Sequence, residues 1–290
     1  MQTSLATGNK LEKLQKQVPG FDPGKTHEYT LAIVLKDDGY SFCIAQSSSL
    51  LAQQLVAAPW DKSLSNSHPT EKIQWLVKNY PQLSGWYDRV LFATDPARFT
   101  PVPTAVYQDG TGTDYFETVF RRESGEQLNR ERLTQSEIEL IYALPTGLSN
   151  SIRLQFPSAS LRTIAGILSE HWQSSISTDS QFILWPDGDS LTIWVYKGKK
   201  LQYINRFFAP GTDDWLYHLL NVKKQLELEE FTLFTRSSGG GIDAREQVLR
   251  DFFGDLTTLS PGISQIPETL ELTPAEKHRF YEVLTLVCAS

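Results

Sequence analysis

Apolar residues in this chain come in short bursts whose period alternates between that of a strand and that of a helix. Residues 29–36 and 40–46 are almost continuously apolar and meet at Asp38-Gly39, which predicts two buried strands and a tight hairpin. Leu50 to Ala58 continues as a third strand. Pro69 suits the first turn of a helix whose stripe is Ile73, Leu76, Val77 and Tyr80. Asp88 to Thr94 is a short buried strand. The run from Phe99 to Tyr107 holds two prolines, which remove ladder donors, so it is no central strand. Asp109 to Asp114 reads as an exposed glycine-rich loop. Ile138 to Leu144 is strand-like up to Pro145. Helices are expected over 147–155 and 158–173, the second burying Leu161, Ile164, Leu168 and Trp172.

The second half repeats this grammar. Strands over 181–185, 190–196 and 200–208 form a meander, and Thr212 is a suitable N-cap with Asp213 and Asp214 in the favourable first turn. The helix it opens buries Trp215, Leu219, Val222 and Leu226. Phe231 to Thr235 is the next strand and Ile242 to Phe253 the next helix. Five identities recur at one offset of 149 residues: Leu35/Leu184, Asp38/Asp187, Gly39/Gly188, Ser41/Ser190 and Ile44/Ile193. Two unrelated hairpins could share Asp-Gly chemistry, but the shared strand-strand-strand-helix-strand order favours a duplicated domain. The expected division is a polar arm over 1–27, domains over 28–157 and 158–271, and a terminal segment over 272–290. That segment opens on a capping box, Thr273 to Glu276, and carries Phe280, Val283, Leu284 and Val287 at helical spacing, so it should dock back across the first domain.

Composition narrows the function classes. The 290 residues are 40% hydrophobic and 21% charged with a net charge of −7, an ordered chain without the basic face that nucleic acid demands. No stretch reads as a signal peptide or membrane span, so no membrane insertion is expected. Cys43 and Cys288 form neither a CxxC pair nor a disulfide framework, which fits a reducing, cytoplasmic compartment. The five histidines share no metal-ligand spacing, and Gly-Thr-Gly-Thr at 110–113 lacks the lysine of a P-loop.

Several stretches, Phe21 to Tyr29, Leu31 to Ile44, Phe99 to Tyr107, and Tyr142 to Pro145 with Leu148, resemble a Bacteroidota family of uncharacterised proteins with an actin-like ATPase fold. The resemblance implies an α/β class: a duplicated actin-like (ribonuclease H-like) fold, two similar domains with mixed sheets, and a returning C-terminal helix. It implies no established activity. Proteins of that fold hold phosphate and Mg²⁺ between two glycine-containing hairpins and clasp adenosine with a Gly-Gly turn. The matching candidates are Asp37 and Gly39, Asp187 and Gly188, and Gly239, Gly240 and Gly241 ahead of the helix at 242. Each departs from the pattern. Tyr40 is bulky where a small residue is usual, the second hairpin has one glycine, Asp189 would repel a triphosphate, and no Gln, Asp or Glu closely follows Pro145 to orient a water. These departures favour a non-catalytic binding or scaffold protein with a protein partner, a degenerate nucleotide cleft, no catalytic or metal-binding residue and no cofactor. The alternative is a divergent ATP-binding protein, an ATPase or small-molecule kinase using ATP and Mg²⁺.

Overall fold

The computed structural model describes residues 12–65, 67–176, 179–236, 244–259 and 265–289. In the first half, β1 (Leu14–Gln17) precedes the meander β2 (Tyr29–Leu35), β3 (Gly39–Gln46) and β4 (Ala52–Pro59). Helix α1 (Pro69–Asn79) and strand β5 (Arg89–Thr94) follow, then β6 (Phe99–Pro103), α2 (Gly112–Val119), β7 (Glu126–Leu133) and β8 (Ile138–Pro145). Helix α3 (Leu148–Gln155) leads to β9 (Ser160–Thr163) and α4 (Ile164–Ser175). The second half holds β10 (Ser180–Asp187), β11 (Ser190–Lys197), β12 (Lys200–Phe208), α5 (Asp214–Gln225), β13 (Thr232–Arg236), α6 (Ala244–Phe253) and β14 (Leu256–Leu259). Helices α7 (Pro274–Arg279) and α8 (Tyr281–Cys288) end the described chain.

The duplication is visible in the topology. The first sheet runs β1-β4-β3-β2-β5-β9 and the second β12-β11-β10-β13-β14. From the third strand of each meander onward the two share the same sequence of two antiparallel and two parallel pairings. A third sheet, β6-β8-β7, is inserted after β5. As its prolines require, β6 is an edge strand.

Helices α4 and α8 lie between the two main sheets. Helix α8 packs across β2, β3 and β5. Its Phe280, Val283, Leu284 and Val287 stripe is buried, as its spacing predicts. On the opposite side Trp172 of α4 meets Trp194 and Trp185 of the second sheet at ring distances of 4.9 and 5.6 Å, and its indole donates to the Tyr281 hydroxyl. A separate core under the second sheet joins Phe182, Leu184 and Ile193 to Trp215, Leu219 and Val222 of α5.

Several local expectations are revised. Part of the polar arm is a strand, because β1 pairs with β4 along the edge of the first sheet. Helix α2 begins at Gly112, inside the expected loop. The expected helix at 158 starts as β9, which extends the first sheet past residue 157. Leu161 and Ile164 have helical spacing, but parallel pairing with β5 fixes the backbone there. Thr212 does not cap α5. Its N-cap is Asp213, and Asp214 instead accepts from the Gly211 N–H at 2.6 Å. The capping box at Thr273 and Glu276 forms, but the single expected helix breaks into α7 and α8 at Phe280. β7 was not foreseen, since Glu-Gln-Leu-Asn-Arg-Glu-Arg-Leu is mostly polar and lies on one edge of its sheet.

Candidate functional site

Both hairpins close on two-residue tips. Lys36 pairs with Gly39 and Asp187 with Ser190, so the tips are Asp37-Asp38 and Gly188-Asp189. The matching positions are therefore two residues out from the five sequence identities. By register Lys36, not Asp38, corresponds to Asp187. Gly39 belongs to β3, where a Cβ would lie 2.6 Å from the Ala58 carbonyl oxygen, so close passage of β4 accounts for the glycine. Gly188 sits at φ +57° on the second tip, a conformation that suits glycine.

Register thus sets two corresponding residues of opposite charge against each other, and they are bonded. Lys36 Nζ lies 3.4 Å from Asp187 Oδ2 and 2.6 Å from Glu282 Oε1 of α8. Arg236, ending β13, reaches Glu282 at 3.0 Å, donates to the His278 carbonyl oxygen, and stacks its guanidinium 4.6 Å from the Trp185 ring centre. The Trp185 indole also donates to Glu282 at 3.2 Å. Arg206 of β12 holds Asp95 at 2.6 Å and approaches Asp187 at 3.8 Å. Three cations and three carboxylates thus tie β2, β5, the second sheet and α8 together. A cavity of about 110 Å³ remains beside Lys36, Asp38, Asp187 and Glu282.

The electrostatics follow from this arrangement. Burial alone would lower the Lys36 ammonium, but Glu282 and Asp187 raise it above its ordinary range. Burial would raise Asp187, yet Lys36, a hydrogen bond from Asp95, Arg236 and Arg206 hold it down at about 2. Burial pushes Asp95 up to about 6 against the pull of Arg206 and Lys36. Asp38 is raised, first by burial and then by Asp187.

Of the candidates, Gly39 and Asp187 line one cavity where the hairpins meet, whereas Asp37 lines a different one and Gly188 forms the tip of the second hairpin. Asp37 stays exposed at its tip, and only Asp187 enters the ion-pair network. Gly239, Gly240 and Gly241 lie outside the described residues. Tyr40 does not crowd the cleft: its ring packs with Trp60, Trp75 and Tyr80, and its hydroxyl bonds that of Tyr80 at 2.9 Å. The sequence reading missed Lys36, Asp95, Arg206, Arg236 and Glu282. A signal existed. Lys36, Asp95, Asp187 and Arg236 each stand at the carboxyl end of an apolar strand, and Glu282 interrupts an otherwise apolar helix. Among the described residues, no cluster of His, Cys, Asp or Glu is placed to hold a metal ion, and no helix is long and apolar enough to cross a membrane.

Two like-ordered mixed sheets enclosing a helical layer, with hairpins meeting across a cleft, define an actin-like ATPase fold. The chain belongs to the DUF3822 family, described as a protein of unknown function, whose model matches residues 16–247. It is similar to a Bacteroides thetaiotaomicron protein with an actin-like ATPase fold and unknown function: 21% identity, TM-score 0.76, covering 87% of this chain and 98% of that one. It is also similar in fold to a chain of the PilM-PilN type IV pilus biogenesis complex, with 12% identity and TM-score 0.55, covering 90% of this chain and 98% of that one. No curated protein matches the sequence.

Proposed function

We propose that this chain is a non-catalytic binding or scaffold protein whose cleft is closed by its own ion pairs instead of by a nucleotide. One observation carries the reading: Lys36 Nζ bridges Asp187 and Glu282 at the meeting of the two hairpins. Phosphoryl transfer needs donors and a metal positioned to receive developing negative charge. Here Lys36, Arg206 and Arg236 are already matched by Asp95, Asp187 and Glu282, and Arg279, which also lines the cavity, donates to the Glu12 and Ala57 carbonyl oxygens. A triphosphate would have to break those pairs before gaining contacts of its own. The occupant we propose for the protein surface is a protein partner, a use of this fold for which the PilM-PilN complex is a precedent. The free thiols of Cys43 and Cys288 support a reducing, cytoplasmic setting, and the net charge of −7 speaks against nucleic acid.

The test is thermal unfolding and phosphate release with Mg-ATP. Ligand at 100 times its Kd adds ~2.7 kcal/mol to stability, so specific binding would move the midpoint. We expect no shift and no turnover. Turnover lost on Asp37→Ala would refute the reading and make the chain a divergent ATPase or small-molecule kinase. Binding without turnover, lost on Gly240→Val, would make it a nucleotide-binding protein.

A further inference from the structure

A separate cavity of about 280 Å³ lies away from the hairpin cleft, where β7 and β8 of the inserted sheet meet α3 and β9. Asn129, Tyr142, Ser149, Arg153 and Ser160 are its polar lining. The register explains how two of these converge. Asn129 stands opposite Tyr142 across the β7–β8 pair, so both side chains leave the same face of the sheet. Arg130 also borders the cavity, but its guanidinium leaves the other face, lies 5.1 Å from the Tyr107 ring centre and bonds Asp109 at 2.5 Å. The volume falls just under the roughly 300 Å³ at which pockets for drug-sized molecules begin, which suits a small organic molecule.

Tyr142 gives the cavity its chemistry. The residue is 2% exposed, and its hydroxyl has no hydrogen-bond partner among the described residues. Unlike the sealed hydroxyls of Thr94 and Thr100, it stays open to what enters the cavity. Burial, and then the Glu131 charge, raise this phenol above its ordinary range, so it keeps its proton and acts as a donor. The rest of the lining is also rich in donors. The hydroxyls of Ser149 and Ser160 bond no group among the described residues, and the Asn129 amide donates only to the Gln127 carbonyl oxygen at 3.1 Å.

Charge then selects the ligand. Among the described residues no carboxylate lines the cavity. Glu131, next on this face of β7, already gives one oxygen to Arg162 and the other to the Thr163 N–H, and Arg162 also holds Glu170 at 2.8 Å. With Arg130 offset by Asp109, Arg153 is the one lining charge without a counter-ion among the described residues. A cation would find no carboxylate here. A guanidinium fork beside neutral donors matches a carboxylate or a phosphate.

We propose that this cavity binds a small organic oxyanion, a carboxylate or a phosphate monoester. Arg153 pairs with its charge, Tyr142, Ser149 and Ser160 donate to its oxygens, and Ile152 and Leu161 in the wall meet its carbon body. This goes beyond the scaffold reading and uses no residue of the hairpin cleft, so neither outcome depends on the other.

The test is saturation-transfer NMR on the full chain with succinate and glycerol 3-phosphate at about 10 mM, within reach of millimolar affinity. Glycerol and methylamine are the neutral and cationic counterparts. At least one of the two anions should bind, and the one that does names the oxyanion. Arg153→Gln and Tyr142→Phe should each unfold at the parent's temperature or higher, because neither removes a hydrogen bond of the folded chain. Each should weaken that anion about tenfold, the worth of one hydrogen bond to a charged group. Lys199→Gln, an exposed charge in the second sheet, should leave binding unchanged. The proposal fails if neither anion binds, if glycerol or methylamine binds as tightly, if Lys199→Gln weakens the anion as much as Arg153→Gln, or if either folded cavity variant binds it as tightly as the parent.

Discussion

Replacing Lys36 by methionine keeps most of the side chain's length and apolar stem while deleting the charge that joins the hairpins. The side chain is 14% exposed and its partner Glu282 only 4%. Breaking a buried pair by removing one partner costs ~3–5 kcal/mol when the other charge is left alone. Glu282 is not left alone, since Arg236 at 3.0 Å and the Trp185 indole at 3.2 Å remain. Asp187 similarly retains Arg206 at 3.8 Å. The expected loss for Lys36→Met is therefore lower, about 2–3 kcal/mol. In a chain of this size that lowers the unfolding midpoint by roughly 3–5 °C. Thermal melts followed by circular dichroism at pH 7 would measure it. Repeating them in high salt should change the loss little, because buried pairs are poorly screened. A double-mutant cycle with Glu282→Gln should return a coupling of about 1–3 kcal/mol. A loss below about 0.5 kcal/mol, within the range of ordinary surface substitutions, would refute the claim that Lys36 holds the cleft closed.

Asp95 adds a pH dependence of definite sign. Its folded value of about 6 lies above the ordinary 3.8, so its contribution is full below 3.8 and is lost as pH rises through 6. Relative to Asp95→Asn, the parent should gain about 1 kcal/mol between pH 7 and pH 5, read from urea midpoints, and a gap that does not change with pH would contradict it. Phe280, fully buried at the junction of α7 and α8, should cost ~3–5 kcal/mol as Phe280→Ala. A midpoint unchanged by deleting 272–290 would show those helices to be an appendage. Gly39→Ala should destabilise by about 1–3 kcal/mol, because its Cβ would meet the Ala58 oxygen at 2.6 Å; chemical denaturation of the purified variant would reveal a neutral outcome.

The fold was legible because strand-length apolar runs and helical stripes are local signals, and their shared order in both halves gave the duplication. The edge position of β6 followed from Pro101 and Pro103 alone. What escaped depended on tertiary pairing. Ser160 to Thr163 becomes a strand only because β5 offers it a parallel edge, and β7 has no apolar alternation to announce it. The cleft was half legible. Gly39 and Asp187 line one cavity, but matching letters misplaced the correspondence by two residues and hid the pairing of Lys36 with Asp187. Lys36 and Arg236 belong to segments far apart in sequence, so only the folded chain shows that they share one oxygen of Glu282.

The placement of α8 also constrains how the molecule is made. The face of β2, β3 and β5 that it covers is synthesised long before α8 itself, and the intervening chain must emerge first. Until then Val34 and Cys43, which face α8, belong to a domain whose covering helix does not yet exist. The pairing is non-local, which slows folding and leaves apolar surface open to association. A fragment ending at residue 236 would keep both hairpins yet lack α8 and Glu282. It should aggregate or recruit chaperones during expression, whereas α8 supplied as a separate peptide should suppress that association. The N-terminal half is thus sealed by the far end of the described chain, and neither half matures on its own.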